Sequence, residues 1–433
     1  MFRALLMFVL FFCSTQLFSQ FRLSGIVLDE NENPLNGASV FFTDSYIGNI
    51  TGKSGEFEFQ NLMKGKYIIN ASFIGYETAE REFFVDDDFE IKIVMRRTKY
   101  LMDEVVVKSI RAGEKDPVAF DLIVREDIES KNFGQDIPTL LSLSPSLVST
   151  SDAGHGIGYS GFRIRGTDAN RINITVDGIP LNDSESHGVW WVNMPDLATS
   201  VEDIQIQRGV GTSTNGAAAF GASVNFKTIG LQKEAYTQID AGYGSFNTFK
   251  TSISAGTGLV DDHFSFNLRL SDIYSDGYID RSRSDLKSYY ISAAYQSEKT
   301  LIKFKNFSGI EEVYQSWGGV PSYMLDDNRT YNPMGEYTNF SGQKKFYDNQ
   351  IDHYEQQHYH ISVSQFISNE LSLNTALHYT KGAGYYEEYK EDADLLYYHI
   401  DYPTIGDQLI QNTDIIRQKW LDNDFYGLIF SLN

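Results

Sequence analysis

From about residue 231 onward the chain alternates apolar and polar side chains, and this alternation constrains the fold more than any single motif. Phe264, Phe266, Leu268 and Leu270 alternate with His263, Ser265, Asn267 and Arg269, and Tyr359, Ile361 and Val363 with His358, His360, Ser362 and Ser364. Ile239, Ala241 and Tyr243 share a face, as do Phe249, Ile253 and Ala255. The same holds for Leu371, Leu373, Leu377 and Tyr379, and for Tyr426, Leu428, Phe430 and Leu432. Successive side chains of a strand point to opposite faces, so each run has one apolar and one polar side. A soluble sandwich alternates too, but several runs here approach the roughly 9–11 residues a tilted strand needs to cross a bilayer. Tyr and Phe near the run ends fit a membrane interface. The pattern predicts about eight antiparallel transmembrane strands, polar side inward. Asp276-Gly277 and the polar stretch Ser316 to Gln350 read as loops, the second long enough to be extracellular.

Composition agrees. Aromatic residues make up 14% and hydrophobic residues only 42% of 433 positions, too polar for a helical membrane protein and too aromatic for a disordered chain. With 36 Lys and Arg against 58 Asp and Glu, the net charge of −22 argues against a nucleic-acid partner. One cysteine, Cys13, excludes an intramolecular disulfide framework and a thiolate metal cluster. Arg3, the apolar run Ala4 to Phe12 and the smaller residues Ser14 to Ser19 read as a secretory signal peptide, residues 1–19. Bulky Phe11 and Phe12 before Cys13 disfavour a lipoprotein reading. No later run has the length of a transmembrane helix, so entry into a membrane is by strands.

Residues 20–97 are short alternating runs broken by turn residues: Ser24 to Leu28, Ala38 to Phe42, Glu56 to Phe59, Gly65 to Phe73 and Phe89 to Met95. Strands at this spacing predict a small β-sandwich. The pattern resembles the carboxypeptidase regulatory-like domain, a seven-stranded module that extends some outer-membrane receptors of the Bacteroidetes type. Any small secreted sandwich is the plainer alternative.

Residues 111–229 carry an ordered motif set. Gly161-Phe162-Arg163-Ile164-Arg165-Gly166 leads into Arg171 to Asn182, with the tight-turn pair Asp177-Gly178. Val201 to Gly209 follows, ending in Arg208-Gly209, and then the Gly-rich stretch Asn215 to Phe226. Asp136 to Leu143 reads as a short helix closed by Pro145. This order resembles the plug domain of TonB-dependent outer-membrane transporters. In the linker 98–110, Asp103, Glu104, Val105, Val106 and Val107 resemble the TonB box, a segment suited to pairing with a partner's sheet edge. The same five residues also fit a last sandwich strand. The fold class is therefore mainly β: an N-terminal sandwich, an α+β plug and, over 230–433, the first part of an antiparallel transmembrane β-barrel. Eight strands cannot enclose a plug, and plugged barrels need about 22. The alternation still runs at Leu432 and Asn433 is not a terminal aromatic, so the chain reads as an N-terminal portion of a longer receptor.

No G-x-S-x-G, H-E-x-x-H or Walker pattern is present, and Gly154 to Gly158 lacks dinucleotide-binding spacing and reads as a flexible loop. No enzyme activity and no cofactor are expected. His358 and His360, two apart on the polar face of one strand, are weak metal candidates beside a plainer role as lumen residues. The resemblance implies that plug apices face outward toward substrate. The matching positions are His155 and Tyr159, then Asn182, Asp183, His187, Trp190 and Trp191. The two indoles either stack on a flat ligand or anchor the loop. Arg165 and Arg208 match plug arginines that pair with barrel carboxylates, partners that the missing strands can supply; backbone carbonyls are the alternative. The function implied is TonB-dependent import of a scarce nutrient, an iron–siderophore complex foremost, with cobalamin, glycan or peptide as other cargoes. TonB and outer-membrane lipid are the expected partners, with the sandwich and the TonB box in the periplasm. A secreted β-domain adhesin without a pore, or a secreted hydrolase with a regulatory sandwich, are the competing classes.

Overall fold

The structure is a computed structural model that describes residues 21–43, 45, 47–73, 76–96, 110–113, 116, 118–210, 220–297, 299–368 and 371–432. The chain divides into two compact units, 1–102 and 103–433.

The first unit is the sandwich. Its strands are β1 (Phe21–Leu28), β2 (Ser39–Phe42), β3 (Gly48–Ile50), β4 (Glu56–Leu62), β5 (Gly65–Ser72), β6 (Ala79–Val85) and β7 (Phe89–Val94). They form two sheets, ordered β4-β1-β7 and β3-β2-β5-β6. Alternation drives the packing: Leu23, Val27, Val40, Phe42, Phe57, Phe59, Ile69 and Ile93 turn inward and are buried together. Gly25 is required where the strands close up, because a Cβ there would lie 2.5 Å from the Ile91 carbonyl oxygen. Short, exposed β3 and the polar start of β6 are strands that the sequence pattern did not announce.

The second unit begins with an α+β layer. Its strands are β8 (Phe120–Val124), β9 (Leu147–Ser151), β10 (Ser160–Ile164), β11 (Ile172–Val176), β12 (Ile179–Pro180), β13 (Val201–Arg208) and β14 (Ala222–Thr228). Five of them make one sheet, ordered β12-β11-β14-β13-β8 and parallel only between β11 and β14; β9 and β10 pair separately. Asp177 and Gly178 have φ of 49° and 82° and close the β11–β12 hairpin, as that dipeptide predicts. The predicted helix at Asp136 to Leu143 is a single turn, Ile137–Leu140. The core gathers Ile164, Ile172, Ile174, Ile204, Ile206, Val224 and Phe226.

The remaining strands form an eight-stranded antiparallel meander: β15 (Tyr236–Gly244), β16 (Thr248–Gly256), β17 (Phe264–Ser275), β18 (Ser284–Gln296), β19 (Thr300–Tyr314), β22 (Ile351–Ser368), β23 (Leu371–Asp394) and β26 (Asn412–Leu432). Two small hairpins decorate the loops between them: β20 (Glu336–Thr338) with β21 (Lys344–Phe346), and β24 (Thr404–Ile405) with β25 (Gln408–Leu409). Residues 316–350 form the predicted long loop between β19 and β22. β15 and β26 are the edges of this sheet and do not pair with each other, so it is open. Along β17 the polarity is the reverse of a water-soluble strand. Phe264, Phe266, Leu268 and Leu270 are exposed, whereas Ser265, Asn267, Arg269 and Ser271 are buried. An apolar outer face and a polar inner face are what a lipid-facing wall requires.

Candidate functional site

The α+β layer is seated on the inner face of this wall by two buried acid–base clusters. Asp177, at the tip of the β11–β12 turn, accepts hydrogen bonds from the Thr228 N–H at 3.0 Å and the Thr228 hydroxyl at 2.7 Å. Its second oxygen also pairs with the Lys305 ammonium on β19, and both side chains are nearly solvent-free. Burial would raise this carboxyl, but Lys305 and Lys303, with hydrogen bonds from Lys305 and Thr228, hold it well below the usual carboxylate range. Asp196 sits in left-handed backbone, φ 55°, ahead of the 3₁₀ turn Leu197–Ser200. It accepts from Lys250 Nζ, Ser271 Oγ and Thr199 Oγ1, each at 2.6 Å, with Arg269 Nη1 at 3.8 Å. Burial again raises the carboxyl, and the charges of Arg269 and Lys250 bring it below its usual value. In both clusters the layer supplies the acid and the wall supplies the cation.

An apolar seam also joins the layer to the wall, where Ile157 and Val192 meet Ile273, Leu286 and Val313. Asn193 and Pro195 press on β19 at Gly309; a Cβ there would lie 2.2 Å from the Asn193 carbonyl oxygen. The run from Gly154 to Gly158, expected to be a flexible loop, is packed instead. Tyr278 donates its N–H to the Ala153 carbonyl at 2.9 Å, and a Cβ on Gly158 would lie 2.8 Å from Ser284 Oγ. His155 meets Phe246 edge-on at 5.7 Å, and burial pushes its imidazole down toward the neutral form.

At one end of the seam lies a chain of aromatic rings. Tyr159 contacts Trp190 at 6.1 Å and Trp317 at 5.4 Å, and Trp317 contacts Tyr386 at 5.6 Å, all edge-to-face. The Tyr159 hydroxyl donates to Asp352; burial, then the charges of Glu311 and Asp352, push its phenol well up, so it stays a donor. The two adjacent indoles part company. Trp191 is buried between Phe162 and Phe226, each at 5.8 Å, while Trp190 is 52% exposed. His187 is exposed. Asn182 and Asp183 shape the loop: Asn182 bonds the Ile174 N–H and the Ile172 and His187 carbonyls, and Asp183 caps the Glu185 and Ser186 N–H groups.

Residues 113–223 match the family model described as the TonB-dependent Receptor Plug Domain. The α+β layer is a TonB-dependent receptor plug. Residues 23–107 match the CarboxypepD_reg-like domain, so that match takes in Asp103 to Val107, which themselves lie outside the described residues. The vitamin B12 transporter BtuB of Vibrio cholerae is 26% identical over 206 residues, covering 45% of this chain and 33% of that protein. The TonB-dependent receptor SusC of Bacteroides thetaiotaomicron is 25% identical over 398 residues, 80% of this chain and 37% of its own length. Among solved structures, the open form of the ferric-catecholate import receptor Fiu from Escherichia coli K12 superposes with a TM-score of 0.53. The identity is 13%, over 73% of this chain and 46% of that one, so the likeness is one of fold. The chain thus spans less than half the length of each of these relatives. By their names these relatives are a transporter and receptors, and the strands of this chain carry the apolar outer face that a membrane wall requires.

Among the described residues the two plug arginines bond within the plug itself. Arg208 Nη1 donates to Asp121 of β8 at 2.5 Å, inside the plug, and exposed Arg165 donates to the Arg208 carbonyl at 3.4 Å. To this part of the wall the plug is paired through Asp177 and Asp196. His358 and His360 do lie on the inner face, buried against Phe307. The His358 ring nitrogens lie 3.1 Å from Gln356 Oε1 and 3.0 Å from Thr380 Oγ1, so both are already engaged. Among the described residues no group of three or more His, Cys, Asp or Glu side chains is arranged to hold a metal ion.

Two outcomes follow from this electrostatics. Asp177→Asn leaves the Lys305 charge buried without its partner, so plug attachment should weaken by roughly 3–5 kcal/mol, while Asp177→Asn with Lys305→Met should recover most of it. Denaturant titration of plug-strand amide exchange reads both. Asp136, buried beside Ser160 Oγ at 2.8 Å, is pushed by that burial from an ordinary 3.8 up to about 8. A raised carboxyl favours the folded plug in its protonated form. Its contribution is complete below the ordinary value and is lost as pH climbs to about 8. Opening at Ile137–Leu140, measured by exchange, should become easier across that window, and Asp136→Asn should flatten the trend.

Proposed function

We propose that this chain is the sandwich, plug and leading barrel strands of a receptor that imports a scarce nutrient across the outer membrane, driven by TonB. The observation that carries the reading is a plug anchored to the inner wall through buried ion pairs, with an unburied aromatic apex at one end. No bond of the cargo is changed. The outer membrane has no nucleotide supply, so energy arrives mechanically: TonB pairs with Asp103 to Val107 and draws the plug aside after ligand has bound outside. Of the loop residues His155, Tyr159, Asn182, Asp183, His187, Trp190 and Trp191, the exposed His187 and Trp190 are the ones that meet ligand. Geometry supports a division among them. Trp190 and Trp317, both partly exposed and both packed on Tyr159, offer their rings to a ligand; Trp191 holds the loop to the core; Asn182 and Asp183 fix the loop's shape.

An iron–siderophore complex is the favoured cargo. The relationship to a vitamin B12 transporter keeps cobalamin in the set, and glycans and peptides belong to the same reading. Competition binding to the natively encoded receptor with one member of each class separates them. The reading itself is tested by deleting Asp103 to Val107: uptake should stop while ligand binding persists, and undiminished uptake would remove TonB coupling from the account. At the apex, Trp190→Ala should weaken ligand affinity by about tenfold without lowering stability. Trp191→Ala should do the opposite, costing roughly 3–5 kcal/mol of plug stability.

A further inference from the structure

The polar side of β13 grips a piece of backbone that belongs to no strand. Ile204 and Ile206 face the plug core, so Asp203, Gln205 and Gln207 share the opposite face. Gln205 Oε1 accepts the Ala112 N–H at 2.8 Å and Gln205 Nε2 donates to the Ala112 carbonyl at 2.9 Å. One side-chain amide thus reproduces both bonds that a neighbouring strand would make. Gln207 Nε2 donates to the Ile110 carbonyl at 2.8 Å and to Gln205 Oε1 at 2.9 Å, locking the two amides in register. Arg111 pairs with Asp203 and donates from Nη2 to the Asn225 carbonyl at 2.7 Å. Gln205 and Gln207 are 4% and 0% exposed, so water does not compete for these bonds.

The position of this strap in the chain gives the contacts a consequence. Only two residues separate it from Val107. On its other side the chain passes to β8, the edge strand of the plug sheet, whose single neighbour is again β13. At its far end β13 also receives the turn into β8, with the Arg208 N–H on the Ala119 carbonyl at 3.0 Å. The strap and the edge strand therefore hang from the same support. Strands β11 and β14, by contrast, lie next to the Asp177–Lys305 anchor on the wall.

We propose that Gln205, Gln207 and the Asp203–Arg111 pair form a clasp that holds strap 110–112 on β13 and keeps β8 in the plug sheet until the preceding tail is drawn. This rests on the reading that residues 103–107 are the segment pulled. Tension at Val107 reaches Ile110 first, so the glutamine bonds are loaded before any strand ladder. Once they part, load passes to β8, which peels from an edge with one neighbour to lose. The wall anchors confine the opening to that side of the plug.

Amide hydrogen exchange on the membrane-embedded, natively encoded receptor tests the clasp without any partner protein. Gln205→Ala with Gln207→Ala should speed exchange at Phe120–Val124 at least tenfold and leave β11 and β14 unchanged. Arg111→Asp and Asp203→Arg should each loosen β8, and the two together should restore it, a rescue that also covers the case where the glutamine variant fails to assemble. Unchanged β8 exchange, or equal acceleration of all five strands, overturns the proposal. Uptake surviving deletion of residues 103–107 would instead sink the pulling reading, with the exchange result standing apart.

Discussion

A sheet that turns its apolar side to lipid must satisfy a polar side with something other than lipid. In this chain β17 buries Ser265, Asn267, Arg269 and Ser271 and exposes the apolar residues between them. Everything that follows in the second unit answers that inversion. The inner wall carries Lys250, Arg269 and Lys305 where water is scarce, and an unpaired cation there is expensive. The plug answers with Asp196 and Asp177. Its own sheet is two-sided for the same reason, with isoleucines on one face of β13 and carboxylate and amides on the other.

The sense of the pairing matters for how such a plug is held. Asp177 and Asp196 each collect several donors, so neither contact is a lone salt bridge that one substitution neatly removes. The close approach at Gly309 adds a steric registration that charge alone does not provide. Ion pairs fix which surfaces meet, and the glycine contact with the Ile157–Val192 seam fixes how closely.

Much of the architecture was legible in local pattern. The two-residue period announced the wall, the Asp177-Gly178 pair its hairpin, and the alternating runs most of the sandwich. Short or exposed pieces such as β3 escaped because three residues carry too little period to detect. The plug anchors escaped for a different reason. Asp196 and Lys250 are 54 residues apart and Asp177 and Lys305 are 128 apart, and no spacing rule links positions joined only by the tertiary fold. A partial signal did exist: Lys250, Arg269 and Lys305 occupy inward positions of membrane strands, where each cation demands a partner. The bond from Arg208 to Asp121 of β8 escaped as well, because 87 residues separate the two.

Trp190 and Trp191 are consecutive, yet one indole is wet and the other dry. The dry ring sets the phase of the whole loop, since shifting the backbone by one position would exchange their places. A change at Trp190 therefore alters the exposed apex without touching the packed core. One residue added or removed before Trp191 would instead re-phase the segment, pulling that ring out from between Phe162 and Phe226.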